Sequence, residues 1–136
     1  MTGEMKPSPE ALRITFAAYF AAIAARDPER IASLFAPDGE IEDPVGSPIR
    51  HGRAGVTALF ASGIAALASH VEIKVLAALP SGGSIAAHWT MTARGKAGRS
   101  ATTEGIDVLQ VDAHGLIFRA EGYWSAAAFR QTLASS

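Results

Sequence analysis

The chain of 136 residues balances 12 basic against 13 acidic side chains, for a formal charge of −1, and contains no cysteine. Such neutrality leaves no electrostatic footprint for nucleic acid and no polyacidic tail, while the missing thiols exclude a disulfide frame, a thiolate zinc site and a cysteine nucleophile and fit a cytoplasmic protein. The length suits a single domain over 1–136, and 49% hydrophobic against 18% charged residues is more apolar material than a small monomer hides easily, which leaves room for an oligomer interface, an apolar ligand cavity or both.

Residues 1–7 read as a disordered lead-in, with acidic Glu4 unlike a signal peptide, and no run along the chain is long enough to cross a membrane. Ser8-Pro9-Glu10 is an N-cap, a proline at the first helical position and an acid facing the helix dipole, so a helix starts there. Its apolar stripe, Leu12, Phe16, Tyr19, Phe20 and Ile23, turns Tyr19 toward the core, where the phenolic hydroxyl must find a partner, a backbone carbonyl in the plainest case. Asp27-Pro28 repeats the cap-and-proline signature for a short second helix with Ile31, Leu34 and Phe35 inward, closed by a Pro37-Asp38-Gly39 turn.

The strand Glu40-Ile41-Glu42-Asp43 then puts Asp43 on the face of apolar Ile41 and leaves Glu40 and Glu42 on the solvent side. A carboxylate on the buried side needs a partner or a use; taken alone, Asp43 organises the turn of Pro44-Val45-Gly46 through its backbone N–H groups. Ile49 to His51 is a hairpin return. Beyond Gly52 a third helix lines up Val56, Leu59, Phe60, Gly63, Ile64 and Leu67, and it is the last helix expected.

From Val71 the period changes to two. Val71, Ile73, Val75, Ala77 and Leu79 share one face; after the Pro80 to Gly83 turn, Ile85, Ala87, Trp89, Met91 and Ala93 point inward, and Ser84, His88, Thr90, Thr92 and Arg94 outward. A third strand spans Arg99 to Asp112 and a fourth Leu116 to Ser125, the latter with Leu116, Phe118, Ala120, Gly122 and Trp124 on one face. These four strands pair antiparallel, and helices followed by strands give an α+β fold, a cone made of three N-terminal helices on a curved, mainly antiparallel sheet. Asp107 shares a face with Leu109 and Val111, the opposite face carries Ile106 and Val108, and both faces read as covered. With no basic residue near it in sequence, burial should raise the pKa of Asp107 and favour the neutral acid, unless a distant arginine pairs with it. Trp124, Trp89, Met91 and Phe60 are core residues or the lining of a pocket for a large apolar ligand. No pair of histidines or of histidine and carboxylate has metal-ligand spacing, and phosphate-loop, dinucleotide and serine-hydrolase motifs do not occur, so no metal site is expected.

Tyr19, Asp43 and Asp107 are thus three polar groups on apolar faces. With Phe35-Ala36-Pro37-Asp38, Ile41 to Gly46, His51-Gly52-Arg53, Gly105 to Val108, Asp112 to Gly115 and Tyr123-Trp124-Ser125 they make the chain resemble the Δ5-3-ketosteroid isomerases, a branch of the nuclear-transport-factor-2-like superfamily, over about residues 12–125. The turn and His-Gly-Arg pieces occur widely in that superfamily and specify the fold, whereas the Tyr, Asp, Asp set is sharper. The resemblance implies a cofactor-independent isomerase that moves the double bond of a 3-oxo-Δ5-steroid into conjugation. Asp43 would be the base carrying a proton from C4 to C6, and Tyr19 and a protonated Asp107 would donate to the dienolate oxygen. It also implies a homodimer through the outer sheet face. One position departs: some members carry a second tyrosine in the third helix, where Phe60 stands here. Other expectations for such a cone are a binding module for a small apolar molecule, a polyketide cyclase, or an epoxide hydrolase, the last needing an inward arginine that the pattern does not provide.

Overall fold

Two helix starts follow directly from capping chemistry in the computed structural model, which describes residues 5–136. Helix α1 (Pro9–Ala24) begins where Ser8 Oγ accepts from the Ala11 N–H, and α2 (Pro28–Ser33) where Asp27 accepts from the Arg30 N–H. The whole expected stripe of α1, including Tyr19, is buried. Of the anticipated lead-in, 1–4 lie outside the described residues; 5–7 form no helix or strand, and Lys6 Nζ donates to the Gly82 carbonyl at 3.3 Å.

Helix α2 stops short of Leu34, and Phe35 opens the strand β1 (Phe35–Glu42) rather than closing the helix. Pro37-Asp38-Gly39 is not a terminating turn: it is carried inside β1 as a register irregularity between Phe35 and Glu40. Then come β2 (Arg50–His51), paired antiparallel with β1 as the hairpin return required, and α3 (Gly52–Ser62). The long third helix breaks at Gly63, whose φ of −99° and ψ of −111° leave the helical region, and resumes as α4 (Ile64–Leu67).

Strands β3 (Ala68–Ser81), β4 (Ser84–Gly95), β5 (Ser100–Val111) and β6 (Ile117–Trp124) pair antiparallel in sequence order. The six-stranded sheet runs β2-β1-β6-β5-β4-β3, with β1 parallel to β6. The result is α+β, helices packed on a curved mixed sheet, and the inward set of β4 is buried throughout. Each fully buried Leu, Ile or Phe of this core contributes about 1.5–3 kcal/mol.

Two bulges change which residues face the core. One between Val75 and Ala77 turns Ala77 and Leu79 outward and packs Ala78 instead; another, opposite Gln110 and Val111, turns Ile117 inward and Phe118 out. The face carrying Ile106 is not covered in the single chain, since Ile106 and its cross-strand partner Tyr123 are each 47% exposed. Glu40 and Glu42 point outward as expected, yet they are held: Arg119, beside them on β6, pairs with both and with Glu121.

A fifth helix, α5 (Ala126–Ala134), follows the sheet where none was expected. It buries Phe129 and Leu133, spaced i and i+4, and comes so close to β4 that any Cβ on Gly95 would collide with the Leu133 carbonyl. No described helix is long and apolar enough to cross a membrane.

Candidate active site

Asp43 lies just past the end of β1, at a cis Asp43–Pro44 peptide, in a loop fastened by the Val45 N–H to the Gly122 carbonyl at 2.7 Å and by the Gly46 N–H to Glu42 Oε2 at 2.9 Å. Because β1 is parallel to β6, the Asp43 carboxyl meets the end of β6, where Trp124 Nε1 donates to its Oδ1 at 2.6 Å. Gly122 makes that approach possible: a Cβ there would lie 2.7 Å from Asp43 Oδ1 and 2.8 Å from its Cγ. Loss of hydration pushes the Asp43 carboxyl up to about 6, opposed by the Trp124 hydrogen bond and the positive charge of Arg130.

Asp107 comes from the middle of β5 and is 4% exposed. Its partner is not an arginine: Trp89 Nε1, from β4, donates to Asp107 Oδ1 at 2.9 Å. Burial first, and then the neighbouring Asp43 charge, hold the Asp107 carboxyl well above the usual carboxylate range, with the indole N–H pulling the other way. Desolvation and repulsion therefore keep a proton on Asp107 at a pH where Asp43 has lost its own.

One apolar cavity joins the two. Of the residues expected at a site, Asp43, Asp107, Phe60, Trp89, Met91 and Trp124 all line it. Tyr19 does not line its wall but packs directly behind, edge-on to Phe20, Phe35 and Phe60 with ring centroids 5.4, 6.0 and 6.4 Å away. Its buried hydroxyl has no hydrogen-bond partner among the described residues, so the backbone carbonyl foreseen for it is not there. Burial, followed by the charges of Asp107 and Asp43, raises the Tyr19 pKa and keeps the phenol protonated.

The sequence reading missed the wall supplied by α5, where Phe129, Arg130 and Leu133 line the cavity, and it missed both indole donors. Phe129 and Leu133 at helical spacing were a usable signal, as were Gly105 and Gly122, bare positions inside strands where a backbone or side chain must pass close. A Cβ on Gly105 would collide with Trp89 and Trp124, whose rings meet edge-on at 5.9 Å. Among the described residues no three His, Cys, Asp or Glu side chains are grouped to hold a metal ion. The cavity provides one carboxylate able to accept a proton, one carboxyl able to donate, and apolar walls that strengthen each interaction, with the Tyr19 phenol packed behind them.

This combination of fold and cavity is that of the SnoaL-like domain: the family model matches residues 16–120, and the chain belongs to that family. It is 32% identical over 115 residues to the steroid Delta-isomerase of Nocardioides simplex, a match covering 84% of this chain and 89% of that protein. Among solved structures it is similar to the epoxide hydrolase/cyclase-like enzyme SalBIII, described as having a role in pyran ring formation in the polyether salinomycin, with a TM-score of 0.75 at 24% identity, over 85% of this chain and 92% of that one.

Proposed function

We propose that this chain is a cofactor-independent isomerase that converts a 3-oxo-Δ5-steroid, or a fused-ring ketone of that shape, to the conjugated Δ4 enone. The observation that carries the reading is the pair of carboxyls on one apolar cavity, one near 6 and ready to act as base, the other held neutral and ready to donate. The likeness to the steroid Delta-isomerase of Nocardioides simplex supports it. Asp43 takes the proton from C4 next to the ketone; the negative charge that grows on the C3 oxygen receives hydrogen bonds from the Tyr19 hydroxyl and from protonated Asp107; the new Asp43 carboxyl then returns the proton to C6. The Tyr19 hydroxyl, unpartnered among the described residues and behind the cavity wall, would gain a partner in this scheme once the wall opens to the substrate oxygen, relieving a cost of about 1–3 kcal/mol. No step calls for a metal or an organic cofactor. A second copy of the chain over the outward face that carries Ile106 and Tyr123 would cover its exposed apolar side chains as a homodimer.

The test is absorbance of the conjugated enone formed from a 3-oxo-Δ5-steroid. Asp43 accepts a proton only when ionised, so kcat/KM should fall about tenfold per pH unit below a midpoint near 6 and form a plateau above it, which ends in an alkaline limb where Asp107 loses its proton. A wild type no faster than buffer would overturn the reading. Gly122→Ala should lower kcat by about 10²-fold with little change in thermal midpoint, because the added methyl displaces the base by a fraction of an ångström to an ångström; unchanged kcat would show that the Asp43 carboxyl is not confined there.

A second reading is favoured by Arg130, a solvent-exposed arginine of α5 that borders the same cavity. An acid, a base and an arginine are a set able to open an epoxide, Asp107 protonating the oxygen while Asp43 activates a hydroxyl. Turnover of an epoxy-alcohol without any steroid isomerisation would select it.

A further inference from the structure

We propose that Trp89 is a positioning residue for the oxyanion site: its indole N–H selects Oδ1 of Asp107 as the acceptor oxygen and so leaves the acidic proton on Oδ2, available to the substrate. This rests on the isomerase reading for its kinetic consequence, and on geometry alone for the selection itself. An indole N–H can only donate. A neutral carboxylic acid has one oxygen that accepts and one that carries the proton, so an obligate donor 2.9 Å from Oδ1 assigns the proton to the other oxygen. Both side chains are 4% exposed, which denies either a competing solvent partner.

The strand register builds this contact deliberately. Trp89 is paired across the sheet with Gly105, and Asp107 is two residues further along β5 on the same face. The indole crosses the bare backbone of Gly105, where any Cβ would meet its ring. On the other side of the oxyanion site Tyr19 meets Phe60, which has no hydroxyl to offer. Support for the two donors therefore comes through Asp107 and not through Tyr19. Trp124 makes the matching contact to the other carboxyl, so each of the chain's two tryptophans reports on one aspartate.

The titratable or charged groups around Asp107 are Asp43 from the end of β1, Tyr19 from α1 and Arg130 from α5 at the cavity wall. Trp89→Phe keeps an aromatic ring and removes the donor. Expected for it are a kcat about 10-fold lower with KM nearly unchanged, and an alkaline limb of kcat/KM moved up by about one pH unit, because ionised Asp107 has lost a donor. A side chain that merely filled space would move neither the limb nor kcat relative to KM.

The wild type itself supplies the second measurement. Its nitrogen-15 spectrum has two indole signals, assigned with Trp89→Phe and Trp124→Phe; the Trp124 signal should titrate near pH 6, and the Trp89 signal should not, but should move in Asp107→Ala. A Trp89 signal unaffected by Asp107→Ala, or a Trp89→Phe enzyme with wild-type kcat and alkaline limb, overturns the proposal. Absence of steroid turnover in the wild type overturns the isomerase reading instead, and the indole signal then decides the proton assignment by itself.

Discussion

Asp43→Asn should lower kcat for steroid isomerisation by about 10³- to 10⁴-fold, the upper part of the range for removing a general base. The substitution is close to isosteric, and its amide oxygen can still accept from Trp124 Nε1, so the loop between β1 and β2 should keep its shape. What is lost is the only ionised carboxylate among the described residues that line the cavity, and with it, on the proposed mechanism, the shuttle between C4 and C6. Thermal unfolding of the variant should be close to wild type or slightly higher, since a carboxyl that burial pushes up to about 6 is replaced by a neutral group. Retention of more than a tenth of the wild-type rate would move the base to another residue.

Asp107→Ala should cost about 10²- to 10³-fold in kcat, the typical effect of deleting one oxyanion donor, and it has a second, independent signature in stability. Asp43 and Asp107 both bind protons more tightly folded than unfolded. The native state therefore holds more protons than the unfolded chain above about pH 4, and stability contributed by the neutral carboxyls declines as pH rises, by up to about 1.4 kcal/mol per unit for each group. For Asp43 the decline ends near pH 6; for Asp107 it continues higher. Denaturant unfolding from pH 4 to 8 should show this slope in the wild type and a shallower one in Asp107→Ala. Identical slopes would mean that Asp107 ionises in the folded protein as easily as in the unfolded chain.

Strand alternation was enough to place Asp43 and Asp107 on the inward side, because a period of two fixes the face of every residue once one apolar neighbour is known. Alternation likewise puts Trp89 and Met91 inward on β4, which has a regular register with β5. It failed for Ala77, Leu79 and Phe118, where bulges insert one residue and change the face of the positions beyond them, and nothing in a single strand's pattern announces such an insertion. Alternation also says which way a side chain points but not how far it reaches sideways, so the donors Trp89 and Trp124 were read as lining and not as hydrogen-bond partners. Helix α5 escaped because its start has no side-chain cap and its sequence begins with three alanines, which suit a helix without marking one. The parallel pairing of β1 with β6, which brings Asp43 to Trp124, depends on the folded sheet and is not written in either segment.

That pairing gives the two halves of the site different histories during folding. The Trp89–Asp107 contact spans 18 residues and belongs to one antiparallel hairpin, which can close early. The Trp124–Asp43 contact spans 81, so the loop it closes includes most of the sheet. The Trp89–Asp107 contact can therefore form before the proton-accepting carboxyl has a place to sit. On the proposed mechanism, a partially unfolded form that releases β1 from β6 should be inert while most of its hairpins survive.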